Sequence, residues 1–200
     1  AESMDRNIGR VLEYLEKNGL AENTLVVYLS DQGFYMGEHG WFDKRWMYEE
    51  SFRTPLVAKF PGVIKPNIEI NNLVSNVDLA PTFLEIAGVQ IPADYQGTSL
   101  LPLLEGNKKD IRNNVYYHYY ENGEHAVSPH FGISDGNYKL IRYYKRVDGW
   151  EFFDLNNDNA ELQNKYNDPK YQKRIQKMKK LLLKEATKID DKDALAILAK

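Results

Sequence analysis

The sequence predicts an α/β protein: a partial, mostly parallel sheet over residues 1–108, then an antiparallel β-sheet subdomain covered by a helix over residues 109–200. Three observations predict it. An amphipathic helical stripe leads directly into the apolar, β-branched run at residues 25–29, the order of elements found in parallel sheets. That run stops at two oxygen-bearing residues, Asp31 and Gln32, where open α/β sheets bind their ligands. Beyond Asp110, strand-like segments follow one another with only short turn signals between them.

Composition narrows the function. The 200 residues carry 26 Lys and Arg against 29 Asp and Glu, a net charge of −3, and a nucleic-acid binder would show a basic balance. No apolar run approaches membrane-spanning length. The first five residues have neither a basic start nor an apolar core, so they are not a signal peptide. With no cysteine, disulfides, thiolate metal sites and a cysteine nucleophile are excluded, while the redox compartment stays open.

Met4, Ile8, Val11, Leu12 and Leu15 recur at helical spacing, and Asn18-Gly19 should end that helix. Residues 24–30 form the first strand and residues 54–60 a second, closed by the Pro61-Gly62 turn. Asp78 is placed to cap a helix with Pro81 in its first turn, running to Gly88. A short apolar helix or turn over 98–105 ends at Gly106. Val115 to Tyr120 is strand-like, and residues 131–134 and 138–144 flank Asp135-Gly136, a hairpin signal. Residues 150–155 alternate as a further strand. Tyr171, Ile175, Met178 and Leu182 give a helix to cover the sheet, and the tail after Lys188 should fray.

Asp31 and Gln32 offer hard oxygen ligands suited to Ca²⁺ or Mg²⁺, although on spacing alone a polar strand-end turn is the commoner origin of such a pair and two ligands do not complete a site. Lys44 can clamp an anion such as sulfate or phosphate, although taken alone it reads first as a surface lysine. His39, between Gly37 and Gly40, is a proton donor or substrate hydrogen bond, or equally a structural histidine. Arg45, Glu49, Glu50 and Arg53 read as a supporting ion-pair network. His118, His125 and His130 lie in or beside tyrosine-rich strands that could stack a sugar, or simply pair across a small sheet. Eight Lys and Arg from Lys170 to Lys188 could attract a polyanion or form a solvated helix face.

Taken together, these residues resemble the C-terminal part of the type I, formylglycine-dependent sulfatases of the alkaline-phosphatase-like superfamily. The pattern is similar to bacterial N-acetylglucosamine-6-sulfatase-like glycan sulfatases. The matches run in order through Asn23 to Gly33, Gly37 to Ser51, Arg53-Thr54-Pro55-Leu56, Pro61-Gly62, Asn76 to Thr82, Gln96 to Leu100, Tyr138 to Ile141 and Trp150 to Leu155.

The resemblance implies an alkaline-phosphatase-like sheet and a sulfuric ester hydrolase acting on a sulfated carbohydrate. It aligns Asp31 and Gln32 with a metal-ligand pair for Ca²⁺ or Mg²⁺, and Lys44 with a lysine that contacts the sulfate. His39 and His130 are the candidates for substrate contacts. The family's Cys/Ser-x-Pro-x-Arg motif, source of the formylglycine nucleophile, does not occur here. The chain therefore looks like a fragment of a longer enzyme, inactive alone, from a periplasmic or secreted protein. Two alternatives are a phosphoesterase or phosphonate hydrolase of the same superfamily and a non-catalytic sulfated-glycan-binding fragment.

Overall fold

The computed structural model describes residues 2–107 and 109–199. The opening stripe forms α1 (Glu2–Lys17), which ends as expected: Gly19 takes φ +66° and the Leu20 amide reaches back to the Leu15 carbonyl. None of its residues is buried, and Met4, Val11 and Tyr14 are each more than half exposed. Glu2–Arg6 and Glu13–Lys17 pair one turn apart along its surface.

Strands β1 (Val26–Leu29) and β4 (Leu56–Lys59) form a two-stranded sheet with Val26 opposite Lys59 and Leu29 opposite Leu56. The pairing is antiparallel, as is every strand pair among the described residues, and this corrects the expected parallel sheet. The cause is the connection. Between β1 and β4 lie the hairpin of β2 (Tyr35–Met36) and β3 (Phe42–Asp43) and the four-residue helix α2 (Glu49–Phe52). The chain re-enters β4 at the end where β1 finishes, with Leu29 opposite Leu56, so the two strands run in opposite directions. The two strands are also more open than an apolar run suggests, since Tyr28, Leu29, Leu56 and Val57 are exposed.

Helix α3 (Leu79–Ile86) follows a single 3₁₀ turn at Asn76–Asp78 whose cap is Ser75, not Asp78. The buried Asp78 carboxylate instead accepts the Ser75 and Thr98 amides and pairs with Arg112. It thereby ties α3 to the approach of α4 (Leu101–Leu104).

Past residue 109 the expected antiparallel sheet is present. Strands β5 (Val115–Tyr119), β6 (His130–Ser134), β7 (Tyr138–Tyr143) and β8 (Gly149–Asp154) pair in chain order. Gly136 turns the β6–β7 hairpin at φ +83°, with the Asp135 carboxylate accepting the Asn137 and Tyr138 amides. Period-two alternation sends Phe131, Ile133, Leu140 and Phe152 to one face and Ile141, Tyr143 and Phe153 to the other. The first face receives Ile175, Met178, Leu182 and Ala186 of α5 (Gln172–Lys188). The second receives residues 46–52, with Met47 fully buried. Gly132 permits that approach, because a Cβ there would stand 2.6 Å from Met47 Sδ and 2.5 Å from the Leu140 carbonyl oxygen.

The chain's tail does not fray. Helix α6 (Lys192–Leu198) is capped by Asp191, whose Oδ1 accepts the Ala194 amide, and Ala194 is fully buried. Asp191 Oδ2 also accepts the Tyr116 hydroxyl at 2.7 Å and bonds His118 Nδ1 at 2.6 Å, fastening the tail to β5. The outer margin of β8 is closed by the next segment. Asn164 Oδ1 accepts the Phe152 amide, Asn164 Nδ2 donates to the Trp150 carbonyl, and the Lys165 amide donates to the Phe152 carbonyl. Among the described residues no helix is long and apolar enough to cross a membrane.

Candidate functional site

Strand β1 delivers Asp31 and Gln32 into the turn that follows it. The Asn76 amide donates to the Asp31 carbonyl at 2.8 Å and fixes the backbone, while the Asp31 carboxylate is exposed and carries no hydrogen bond or ion pair among the described residues. Gln32 Nε2 donates to Ser51 Oγ at 3.1 Å, so its amide is oriented with Oε1 left for another partner. The turn needs Gly33: its amide donates to the Ser51 carbonyl at 2.9 Å, and a Cβ would fall 1.9 Å from the Glu50 carbonyl oxygen. A carboxylate and an amide oxygen, both free, have the donor chemistry of a hard divalent cation. They supply only part of a coordination shell.

The β2–β3 hairpin leads to Lys44. On either side of it, Asp43 and Arg45 satisfy each other, with one guanidinium nitrogen 2.7 Å from each carboxylate oxygen. Lys44 itself is half-buried and has no hydrogen bond or ion pair among the described residues. Its charge is left uncompensated in a partly shielded position. Arg45 holds φ +94°, a strained value for a residue with a side chain. The strain is held from both sides: the Arg45 amide donates to Ser51 Oγ at 3.2 Å, and its carbonyl accepts the Tyr117 hydroxyl at 2.7 Å. Ser51, 3% exposed, thus takes hydrogen bonds from both the Asp31–Gln32 turn and the Lys44 loop, bringing the two together at one oxygen.

His39 adopts φ +54° at the hairpin's tip, stacks on Tyr48 with ring centroids 4.3 Å apart, and places Nε2 3.4 Å from Glu50 Oε2. His130 lies deeper. It is fully buried, Nδ1 donates to the Ser128 carbonyl at 2.8 Å, and Nε2 has no partner. Trp46 stacks on it at 5.3 Å, with Tyr117, Tyr119 and Tyr143 around it. Burial depresses its pKa to about 4, so the ring is neutral. A ligand reaches His130 only if these rings part. Burial likewise raises the phenol of Tyr117 to about 12, which keeps it a neutral donor.

Beside Trp46 opens a cleft of about 370 Å³ whose walls include Tyr48, Tyr143, Trp150 and Glu151. Glu151 Oε2 accepts the Tyr48 and Tyr143 hydroxyls at 2.7 and 2.8 Å. Behind the loop, fully buried Lys139 sits 2.8 Å from Glu49 and 2.8 Å from Glu161, and Glu161 Oε2 accepts the Glu49 amide. Burial raises the Glu161 carboxyl above its ordinary range. The expected network of Glu49, Glu50, Arg45 and Arg53 is therefore replaced by one running through Lys139 and Glu161. Neither residue carries a local signal in the sequence. The same holds for Ser51.

His118 binds Asp191 and the Tyr144 hydroxyl, so it fastens the tail and is not at this site. His125, with Glu121 and Glu124, forms a carboxylate–histidine cluster on a separate, mostly exposed loop.

A family model described as "N-sulphoglucosamine sulphohydrolase, C-terminal" matches residues 37–188. An N-acetylglucosamine-6-O-sulfatase of Bacteroides thetaiotaomicron is 47% identical over 195 residues, covering 96% of this chain and 35% of that protein. An arylsulfatase of Clostridium perfringens is 32% identical over 190 residues, covering 91% of this chain and 37% of that protein. The solved structure of BT4656 in complex with its substrate D-glucosamine-2-N,6-O-disulfate superposes with a TM-score of 0.91 at 46% identity, over 95% of this chain and 39% of that one. A phosphonate monoester hydrolase from Silicibacter pomeroyi shares the fold, with a TM-score of 0.82 at 24% identity over 92% of this chain and 38% of that one. The chain thus spans a little over a third of the length of the curated relatives it matches.

Proposed function

The chain belongs to the sulfatase family of the alkaline-phosphatase-like superfamily, and from that membership we propose that it forms the part of a sulfuric ester hydrolase that grips the sulfate of a sulfated glucosamine unit in a glycan. The observation that carries this reading is Lys44: a half-buried ammonium without a partner, between two residues that neutralise each other. An ammonium so placed stabilises the sulfate oxygens as charge builds on them. The name of the Bacteroides relative and the ligand in the BT4656 structure support glucosamine sulfate as the substrate class.

Asp31 and Gln32 would hold Ca²⁺, or Mg²⁺ in its place, with further oxygen ligands from residues outside this chain. Such a cation supplies Lewis-acid polarisation of the ester. The nucleophile would also come from outside, since the chain has no cysteine and no Ser-x-Pro-x-Arg sequence. These 200 residues alone are therefore expected to bind without turnover. His39 would meet the sugar at the hairpin. His130 would accept a hydroxyl at Nε2 once Trp46 and the tyrosines part. A periplasmic or secreted setting is supported by a Drosophila melanogaster relative named an extracellular sulfatase, 38% identical over 114 residues. The phosphonate hydrolase alternative has the shared fold in its favour and nothing further.

Titration of the chain with glucosamine 6-sulfate, with and without Ca²⁺, tests the reading. We expect saturable, Ca²⁺-strengthened binding that falls about tenfold or more in Lys44→Ala, the loss of one charge-assisted contact. Equal affinity for glucosamine and its 6-sulfate, or an unchanged affinity in Lys44→Ala, would overturn it.

A further inference from the structure

The cations of α5 and of the turn just before it, Pro169–Tyr171, fall into two sets. Lys170, Arg174 and Lys179 are engaged: Lys170 lies over the Tyr171 ring, Arg174 pairs with Asp135 over Tyr138, and Lys179 lies over Trp150 and bonds the Tyr166 hydroxyl. Lys173, Lys177, Lys180, Lys184 and Lys188 are all exposed and have no ion pair or hydrogen bond among the described residues. Their spacing puts all five inside an arc of about 80°, directly opposite the buried stripe of Ile175, Met178 and Leu182. The row runs about 22 Å along the helix axis.

An ordinary solvated helix face mixes signs, and α1 in the same molecule does so with its Glu2–Arg6 and Glu13–Lys17 pairs. The α5 row contains no acid. The one carboxylate on the helix, Glu185, is off the row and accepts from Asn114, while Asp190 beyond its end faces Lys192. Lys173–Lys177, Lys177–Lys180, Lys180–Lys184 and Lys184–Lys188 are therefore four successive like-charge neighbours, each mildly destabilising. Lys173 also stands in the first turn of the helix, where the dipole disfavours cations. All this occurs in a chain of net charge −3, so the positive charge is segregated.

We infer that this row is a docking surface that holds a sulfated glycan chain, separate from the Lys44 site and on the opposite side of the β5–β8 sheet from the segment that follows Lys44. The inference rests on the sulfatase reading for its choice of polyanion. Evenly spaced ammonium groups bind repeated sulfates as point charges without demanding fixed geometry. Between the lysines the outward residues include Gln176, Thr187 and a single large apolar side chain, Leu183. That leaves no apolar face to enter a membrane and no aromatic platform for bases.

The test compares the chain with Lys177→Glu/Lys180→Glu/Lys184→Glu, all exposed positions, by titration with heparin, desulfated heparin, duplex DNA and phosphatidylserine vesicles. Heparin binding is expected to weaken steeply with salt, and the triple variant to lose affinity on the order of a hundredfold. Unchanged heparin affinity in the triple variant overturns the inference. So does equal affinity of the chain for desulfated heparin, DNA or vesicles. A parallel titration with glucosamine 6-sulfate separates the two readings. Loss there in Lys44→Ala alone supports the Lys44 site, whatever the row does. Loss of heparin in the triple variant alone supports the row, whatever Lys44 does.

Discussion

His130 shows what burial does to a titratable side chain whose second nitrogen is left without a partner. Its pKa of about 4 lies below the ordinary 6.5, so the folded state binds fewer protons than the unfolded one between those values. The neutral ring's contribution is complete above pH 6.5 and is lost as pH falls towards 4, an amount of roughly 3 kcal/mol. His118 is depressed in the same direction by burial, opposed by Asp191. We expect the urea midpoint of the chain to drop between pH 7 and 4, and His130→Phe to flatten that drop while His118 maintains the remainder. An unchanged slope in His130→Phe would show that the ring does not stay neutral. At this scale the site was half legible. Asp31, Gln32 and Lys44 stood out because carboxylate, amide and ammonium after an apolar run are chemically conspicuous. Ser51, which clips Gln32 from 19 residues away, and Asn76, which holds Asp31 from 45 away, are ordinary polar residues until the fold brings them in.

The elements repeat the distinction between local and distant causes. Helix α1, the Asp135-Gly136 hairpin and the apolar stripe of α5 are written in short-range spacing and were readable. Strand direction was not, because the connection over residues 30–55 is long enough for either direction and only the pairing of Leu29 with Leu56 decides it. Helix α6 was hidden because what secures it is His118, 73 residues from Asp191. Lys139 on β7 reaches 90 residues back to Glu49 on α2, so the loop carrying Trp46–Tyr48 is braced against the sheet by a buried ion triad. Lys139→Met leaves Glu161 without its cation, and we expect a loss of about 3–5 kcal/mol by chemical denaturation. Since burial already raises the Glu161 carboxyl, the gap in stability between the variant and the parent should narrow as pH falls and that group protonates. Adding Glu161→Gln should restore most of the loss. If the double variant is as unstable as the single, the triad is not what braces the loop.

Across the whole molecule, burial is uneven. Most fully buried apolar side chains lie on the two faces of the β5–β8 sheet, while α1, β1 and β4 contribute none. The antiparallel half was legible as a unit because its core is made within itself. Residues 2–107 hold the candidate site on elements with open apolar faces, and a sequence reading of those faces expected burial that is not found. The same view gives Asn164 and Lys165 a further role. A sheet margin with bare amides and carbonyls is a template that a second molecule can extend, and β8 is covered along its outer side by these two residues. Asn164→Leu would expose the Phe152 amide and Trp150 carbonyl without altering the core. Light scattering of the concentrated variant should then show self-association that the parent resists, and a variant as monodisperse as the parent would count against it. The brief polar segment after β8 thus governs shelf life: how concentrated the protein can be kept before it begins to assemble with itself.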